Sequence, residues 1–581
     1  MKHYLLYAAG LILAASVTSC VDDNYDLSDI DTSARIKVDN LTIPVNIDAI
    51  TLSSLFDLDP DDPDAIIKEE NGVYAVVKGG EFHSSTVHIS QINASGTSGE
   101  ASTSTINTGL PGGIRPEIDL ELPFKSDKVD FTLESSTVPA EIKEIVRVDG
   151  QFTLSLVIEL PELAQVTKKV TLTDVVIALP AGLVGTPNHG TYDAEAGTIN
   201  IPTVDITNGR LEVKLTCTAI NFAKTGGIFR PNSTADNKGY LYLHGSMAVN
   251  SGKLVIRKSE VIGNLPASFS LTSSIGVSNI TVTAFTGRLQ YAIENVNIDP
   301  VTLNDLPDIL AQEDTRITIL NPQIYLNVTN PLSTYDLKAR TGMKITSVFS
   351  PEQNTPDHVA VLDAPGFFEV SSAAESSYVL SPTDPKTYYA GYNNPKHVPF
   401  SALSNVLEGN GLPKTLNISL ENPSVFDQYV NALPLGRDLG AVDGKYQFYA
   451  PLALGTGSHV TYTDTQDGWN DEDVDAITIE KLEVATTVSS NLPFSLKLTG
   501  HPIDVNGKPI NNVTIEGADI PANADNKAVV IKISGAVTHL DGIVFTATGE
   551  VPADAQALAP NQSIICRDIR ATVSGYYDKE L

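Results

Sequence analysis

Apolar residues fall at every second position through most of this chain. From Gly150 onward, Phe152, Leu154, Leu156 and Ile158 share one parity; Leu211, Val213, Leu215, Cys217 and Ala219 share another run, and Leu289, Tyr291 and Ile293 a third. A period of two puts each set on one face of a β-strand. The recurrence of Val, Ile and Thr agrees with that reading. Five dipeptides, Asn71-Gly72, Asp149-Gly150, Asp443-Gly444, Asn506-Gly507 and Asp541-Gly542, tolerate the positive φ of tight hairpin turns. With 41 Gly and 34 Pro among 581 residues, the predicted fold is all-β: several antiparallel β-sandwich-like domains with few short helices.

Helical spacing is confined to short stretches, Thr302–Gln312 and Pro399–Gly411, the second with Ser401 as N-cap and Gly409 or Gly411 near its end. Each leads into strands and an Asn-Pro pair, so a helix–strand–Asn-Pro unit recurs at about 90 to 100 residues. Residues 47–59 read as a degenerate third copy. A chain of 581 residues exceeds one hydrophobic core. The expected division is 1–19, 20–45, a β-rich 46–300 of one or two domains, 301–425 and 426–581. The stretch Asn321-Pro322 to Ile345 resembles the Asn-Pro strand pattern of late-embryogenesis-abundant type 2 domains, which are small β-sandwiches. That resemblance implies a sandwich topology and no function.

The N-terminus breaks the pattern. Lys2 precedes an uncharged apolar run from Tyr4 to Val17, then Val17, Thr18, Ser19 and Cys20. The run has the length of a signal peptide and falls short of the roughly 20 residues that span a bilayer. Val17-Thr18-Ser19-Cys20 resembles the bacterial lipoprotein signal: an aliphatic residue, two small residues and a cysteine. The resemblance implies that Cys20 becomes the acylated N-terminus, anchored by several chains at about 0.8 kcal/mol per buried CH₂. Asp22 and Asp23 follow, and resemble the acidic export signal of Bacteroidetes-type lipoproteins carried to the outer face of the outer membrane. The same aspartates also keep a linker extended by repulsion.

Charge and cysteine narrow the field. A formal charge of −32 repels phosphate backbones and argues against a nucleic-acid partner. Beyond Cys20 there are only Cys217 and Cys566, so no disulfide scaffold is expected. Both fall in apolar strands, although an oxidising exterior permits a bond between them.

Motifs for catalysis are absent: no G-x-S-x-G elbow, no H-E-x-x-H, no phosphate-binding loop. His83 and His88 are an odd five positions apart, which places them on opposite faces of a strand. Two acidic loops offer calcium ligands: Asp57–Asp64, and the richer Asp464, Asp467, Asp471 and Asp473. Neither has EF-hand spacing, and no other cofactor is implied. Tyr388, Tyr389 and Tyr392 with Asn393 and Asn394 form an aromatic, amide-rich loop suited to sugar rings or a protein surface. The lone tryptophan, Trp469, lies in the second acidic loop, where an exposed ring would serve as an anchor. The expectation is a lipid-anchored cell-surface protein, not an enzyme, that acts by binding or adhesion, with a glycan as the favoured ligand, or as a structural surface component. Two alternatives stand beside it: a lipid-binding protein whose long alternating strands wrap an elongated apolar groove, and a hydrolase whose carboxylate pair cannot be picked out among so many.

Overall fold

The structure, a computed structural model, describes residues 33–580 apart from 45–48, 56–64, 233–238, 304–305, 308–309, 311–314, 470–476, 552 and 554–556. Val17 to Cys20, Asp22, Asp23, the first acidic loop, Asp471, Asp473 and most of the Thr302–Gln312 segment lie outside the described residues. The fold is all-β, at 61% strand and 7% helix. Among the described residues the registered pairings are antiparallel apart from the parallel pair Glu375–Ser381 with Lys396–Pro399. Among the described residues, no helix is long and apolar enough to cross a membrane.

The chain divides into two compact units. The larger comprises Thr51–Val460 and Val551–Gln562. A nine-stranded and a twelve-stranded sheet, counted among the described residues, share one hydrophobic core. The alternation read from the sequence is what fills it: Leu154, Leu156, Ile158, Val213, Leu215, Cys217 and Leu289 are all fully buried. A six-stranded sheet completes this unit, in the order Lys396–Pro399, Glu375–Ser381, Gln323–Thr329, Asp443–Pro451, Val73–His83, Ile67–Glu70.

The smaller unit, here called the split unit, takes Met1–Ile50, Thr461–Glu550 and Ser563–Leu581. One of its sheets runs in the order Ser33–Pro44, Ser563–Glu580, Thr478–Ser490, Lys527–Val537, Thr514–Glu516. The other carries His459–Gln466, Gly542–Glu550, Ser495–Ile503 and Ala518–Ile520 in that order.

Several local expectations are corrected. Asn71-Gly72 is a two-residue hairpin turn, with φ of 55° and 77°, and Asn506-Gly507 turns with Gly507 at φ 70°. Asp149-Gly150 instead lies inside the strand Ile142–Glu159, and Asp443-Gly444 opens a strand. These glycines serve close approach. A Cβ on Gly150 would sit 2.5 Å from the Thr281 carbonyl oxygen, and one on Gly444 would sit 2.2 Å from the Phe82 ring. The segment after Pro399 is a 3-10 helix, Ser401–Leu407, preceded by Phe400. Ser401 does not cap it. Its N–H and hydroxyl both donate to the Asp363 carboxylate, the hydroxyl at 2.7 Å.

Candidate functional site

The tyrosine loop owes its position to the parallel strand pair. Two parallel neighbours need a connection that crosses the face of the sheet, and residues 382–395 are that connection. Tyr388, Tyr389 and Tyr392 lie half-buried against Ala75, Val77, Tyr325, Val379 and Tyr449. The ring of Tyr392 is 4.9 Å from that of Tyr325, and the ring of Tyr389 is 5.3 Å from that of Tyr449. The Tyr325 hydroxyl accepts from the Tyr389 N–H at 3.1 Å and donates to Gln323 Oε1. Burial pushes the Tyr325 and Tyr392 hydroxyls up to about 12. Asn393 and Asn394 are exposed, Asn394 in the left-handed region at φ 47°.

The histidine and acidic candidates are dispersed. His83 pairs with Asp443 at 2.8 Å and His88 with Asp438 at 2.9 Å. Among the described residues no group of three or more His, Cys, Asp or Glu is placed to hold a metal ion. Cys217 and Cys566 are both free thiols, Cys217 pushed up to about 12 by burial. Trp469 is not the exposed anchor expected of it. It is 7% exposed and packs with Ile479, Leu540 and Ile543. Burying so large an apolar ring stabilises the fold, whatever the charge of its neighbours in sequence.

The split unit holds an apolar cleft between its two sheets. Val484 and Thr486, Ile531, Ile564, Cys566 and Ile569 come from one sheet, and Tyr462 and Asp464, Leu496 and Leu498, Ile520, Phe545 and Ala547 from the other, with Ile50 beside them. The enclosed part of this space is about 50 Å³, less than the roughly 150 Å³ of a cavity that holds benzene, and the wider space of about 660 Å³ includes open solvent. Val484, Leu496, Ile520, Ile531, Phe545 and Ile564 are buried and form its floor. Tyr462, Asp464, Thr486 and Cys566 are half-buried among the described lining residues, and the surface that they and the others turn to the cleft is almost wholly apolar.

Two sequence details create the cleft. Ala547, beside Leu498 in its own sheet, is small, and so are Thr486 and Cys566 in the other sheet, which leaves space between the two. The second is a β-bulge. Ala485 pairs with Arg570 and Thr487 with Arg567, leaving Asp568 and Ile569 opposite Thr486 alone. Asp568 takes φ 54°, and the Thr486 hydroxyl donates to the Arg567 carbonyl at 3.0 Å. An inserted residue switches the inward parity. Ile564 and Cys566 face the cleft before it, and Ile569, Ala571 and Val573 face inward after it.

The polar mouth has its own electrostatics. Asp464 accepts from Gln466 Nε2 at 3.0 Å. Burial, and then the neighbouring Asp464 charge, raise the Tyr462 hydroxyl above its ordinary range. Burial likewise pushes the Cys566 thiol up, which keeps it protonated and apolar in character.

No family model matches the chain, and no curated protein matches it. Among solved structures, a candidate secreted protein from Parabacteroides distasonis ATCC 8503 is similar at 15% identity, over 50% of this chain and 90% of that one, with a TM-score of 0.37. A Sulfolobus turreted icosahedral virus structure is similar at 10% identity, over 83% and 91% of the two chains, with a TM-score of 0.12. Likeness at these scores carries no functional argument, so the reading below rests on this chain's own residues.

Proposed function

We propose that this protein is a lipid-anchored binding protein of a Gram-negative outer membrane, facing the cell exterior, and that it captures an apolar ligand in the cleft of its split unit. The observation that carries the binding reading is the cleft itself: an almost wholly apolar lining between two sheets, continuous with open solvent, and a bulge that aims Ile569 inward. Ligand sites have that composition, and bulges gather next to functional sites. The tyrosine loop supports the glycan alternative less, because its rings lie against their own sheet. Glycoside hydrolysis uses a pair of carboxylates, and the described cleft lining holds one, Asp464. Binding without turnover is therefore the favoured activity.

The anchor rests on Val17–Cys20 and the acidic residues Asp22 and Asp23. Metabolic labelling with a fatty acid tests it: the wild type takes up label and Cys20→Ala does not. An unlabelled wild type overturns the anchor. Replacing Asp22 and Asp23 by Ala should lower surface display, read by protease shaving of whole cells, with acylation intact. The cleft is tested with the neutral dye Nile red. The wild type should enhance its fluorescence and Ala547→Phe, which fills the gap beside Leu498, should not. Equal enhancement by a folded Ala547→Phe variant overturns the cleft as the site.

A further inference from the structure

Ile118, at 68%, is the most exposed large hydrophobic side chain among the described residues, and Ile262 at 52% and Ile114 at 39% belong to the same group. All three stand on two irregular segments of the large unit, 110–119 and 257–265. The segments run antiparallel. The Gly113 N–H donates to the Leu265 carbonyl and the Leu265 N–H to the Ile114 carbonyl, each at 2.9 Å. At the other end the Lys258 N–H donates to the Asp119 carboxylate at 2.8 Å. Ile118 and Ile262 both lie between those two ties. The Arg115 guanidinium donates to the Val261 carbonyl at 2.6 Å, and the Ile262 N–H to the Val166 carbonyl at 2.8 Å. The backbone is thus held in place, and presenting these side chains to a partner demands little further ordering.

Cations surround the isoleucines. Lys168 joins the segments through its N–H, which donates to the Glu260 carbonyl at 2.8 Å. Lys169 is paired with Asp205, whereas Arg115, Lys168, Arg257 and Lys258 have no ion-pair partner among the described residues. The carboxylates of Glu117, Asp119 and Glu260 share the patch, so it is spared the strong negative charge of the chain as a whole. We infer, on the reading that Cys20 carries a lipid anchor, that these segments dock on the phospholipid head groups of the membrane that bears the chain. The isoleucines enter the boundary between head groups and acyl chains, and the free cations meet lipid phosphates. Binding of this kind grows with buried apolar area and charge attraction. Three side chains expose at most a few hundred Å², short of the about 800 Å² that each side of a stable protein interface contributes. Neither segment holds an aromatic ring of the kind on which protein interfaces centre. An anchored chain needs less: its tether keeps the patch at high effective concentration beside the bilayer, so a contact too weak to recruit the protein from solution is still occupied.

Tryptophan fluorescence in vesicles tests the docking. Full-length protein, purified with its acyl chains, is reconstituted into vesicles of phosphatidylcholine brominated near the head-group end of its chains, and flotation reads its attachment. The native Trp469 is buried in the split unit's core and should be unaffected. With rings about 5 to 10 Å into the head-group boundary, Ile118→Trp and Ile262→Trp should each lose about half of their added emission relative to unbrominated vesicles. Val359→Trp, at an exposed residue of the strand His358–Val361, should lose none. Unchanged emission from floating Ile118→Trp and Ile262→Trp proteins overturns the docking, leaves the anchor standing and turns the patch toward a protein partner. Equal quenching in Val359→Trp also overturns it, because lipid would then meet the surface at large. A wild type that does not float overturns the anchor and the docking together.

Discussion

The two units meet the same problem, two β-sheets with apolar inner faces, and solve it differently. In the large unit the strand Ile142–Glu159 sends Leu154, Leu156 and Ile158 into a core where each is fully buried. In the split unit the strand Ser563–Glu580 sends Ile564, Cys566 and Ile569 toward a space that other side chains do not fill. Both strands are 18 residues long. The difference lies in what stands beside them on the same inner face. Leu154 neighbours Leu215 and Leu156 neighbours Val213 in their sheet, so that face is filled by apolar side chains as close packing requires. Leu498 neighbours Ala547 in its sheet, and Thr486 and Cys566 are small in the other, so those inner faces are not filled. A binding cleft in a sandwich is made by small residues placed on an otherwise ordinary inner face.

The comparison is broken most severely by shifting the parity of one strand. Insertion of one alanine between Ile569 and Arg570 shifts Arg570 to Glu580 by one position and turns Ala571 and Val573, both fully buried, to the outer face. A loss above about 4 kcal/mol is expected. Hydrogen exchange should show the split unit opening while peptides of the large unit keep their protection. A truncation in each core then sharpens the contrast. Leu156→Ala should cost about 3 kcal/mol in denaturant unfolding, because a closed core keeps the cavity. Leu498→Ala should cost about 1 kcal/mol, because the side chain is half-buried and faces existing space. Equal losses would mean that the cleft is closed in solution.

The tyrosine loop gives a smaller effect. Tyr392→Ala should lower stability by about 2 kcal/mol, since its half-buried ring packs on Tyr325. Tyr392→Phe should recover most of that loss. An unchanged midpoint in Tyr392→Ala would return the loop to a role in recognition. The smallest effect is alkaline. Burial holds the Tyr325 and Tyr392 hydroxyls up to about 12 in the fold, whereas an unfolded tyrosine ionises near 10. The fold retains protons that the unfolded chain has lost, so this contribution is complete below about pH 10 and is lost as pH rises toward 12. Tyrosinate absorbance followed beside circular dichroism reads it.

The all-β class and the inner faces were legible because a strand's side-chain period is two. The parity of Leu211 to Ala219 predicted their burial. The cleft was not legible, for three reasons. Its lining comes from segments 50 to 569 positions along the chain, and alternation says which face a residue takes but not what it meets. The parity changes inside strands. Asp568, and likewise Asn40, Asn422 and Ala432, adopt positive φ at φ 49–56° within strands, and three of these four are Asn or Asp, the types that tolerate that region. An Asx residue inside an alternating apolar run was thus a signal in the sequence for a bulge. Glycine misled for a related reason: Gly150 resembles a hairpin turn in composition and answers instead to a neighbouring carbonyl. Trp469 misled because an acidic neighbourhood in sequence says nothing about where one ring turns.

The pairing of Ser33–Pro44 with Ser563–Glu580 has a consequence in time. Ser33 lies opposite Glu580, and Arg35 forms an ion pair with Asp578, 543 positions away. Synthesis makes Ser33–Pro44 long before Ser563–Glu580. Until then Val38 and Leu41, which pack on the split unit's core, have nothing to pack on. Joining residues so distant carries about 3.5 kcal/mol more closure entropy than joining a ten-residue hairpin. The large unit, contained in the interval between them, has every opportunity to fold first and shorten that search. Ser33–Pro44 therefore stays unpaired until Ser563–Glu580 is made, and their zipping reports that everything between them has arrived.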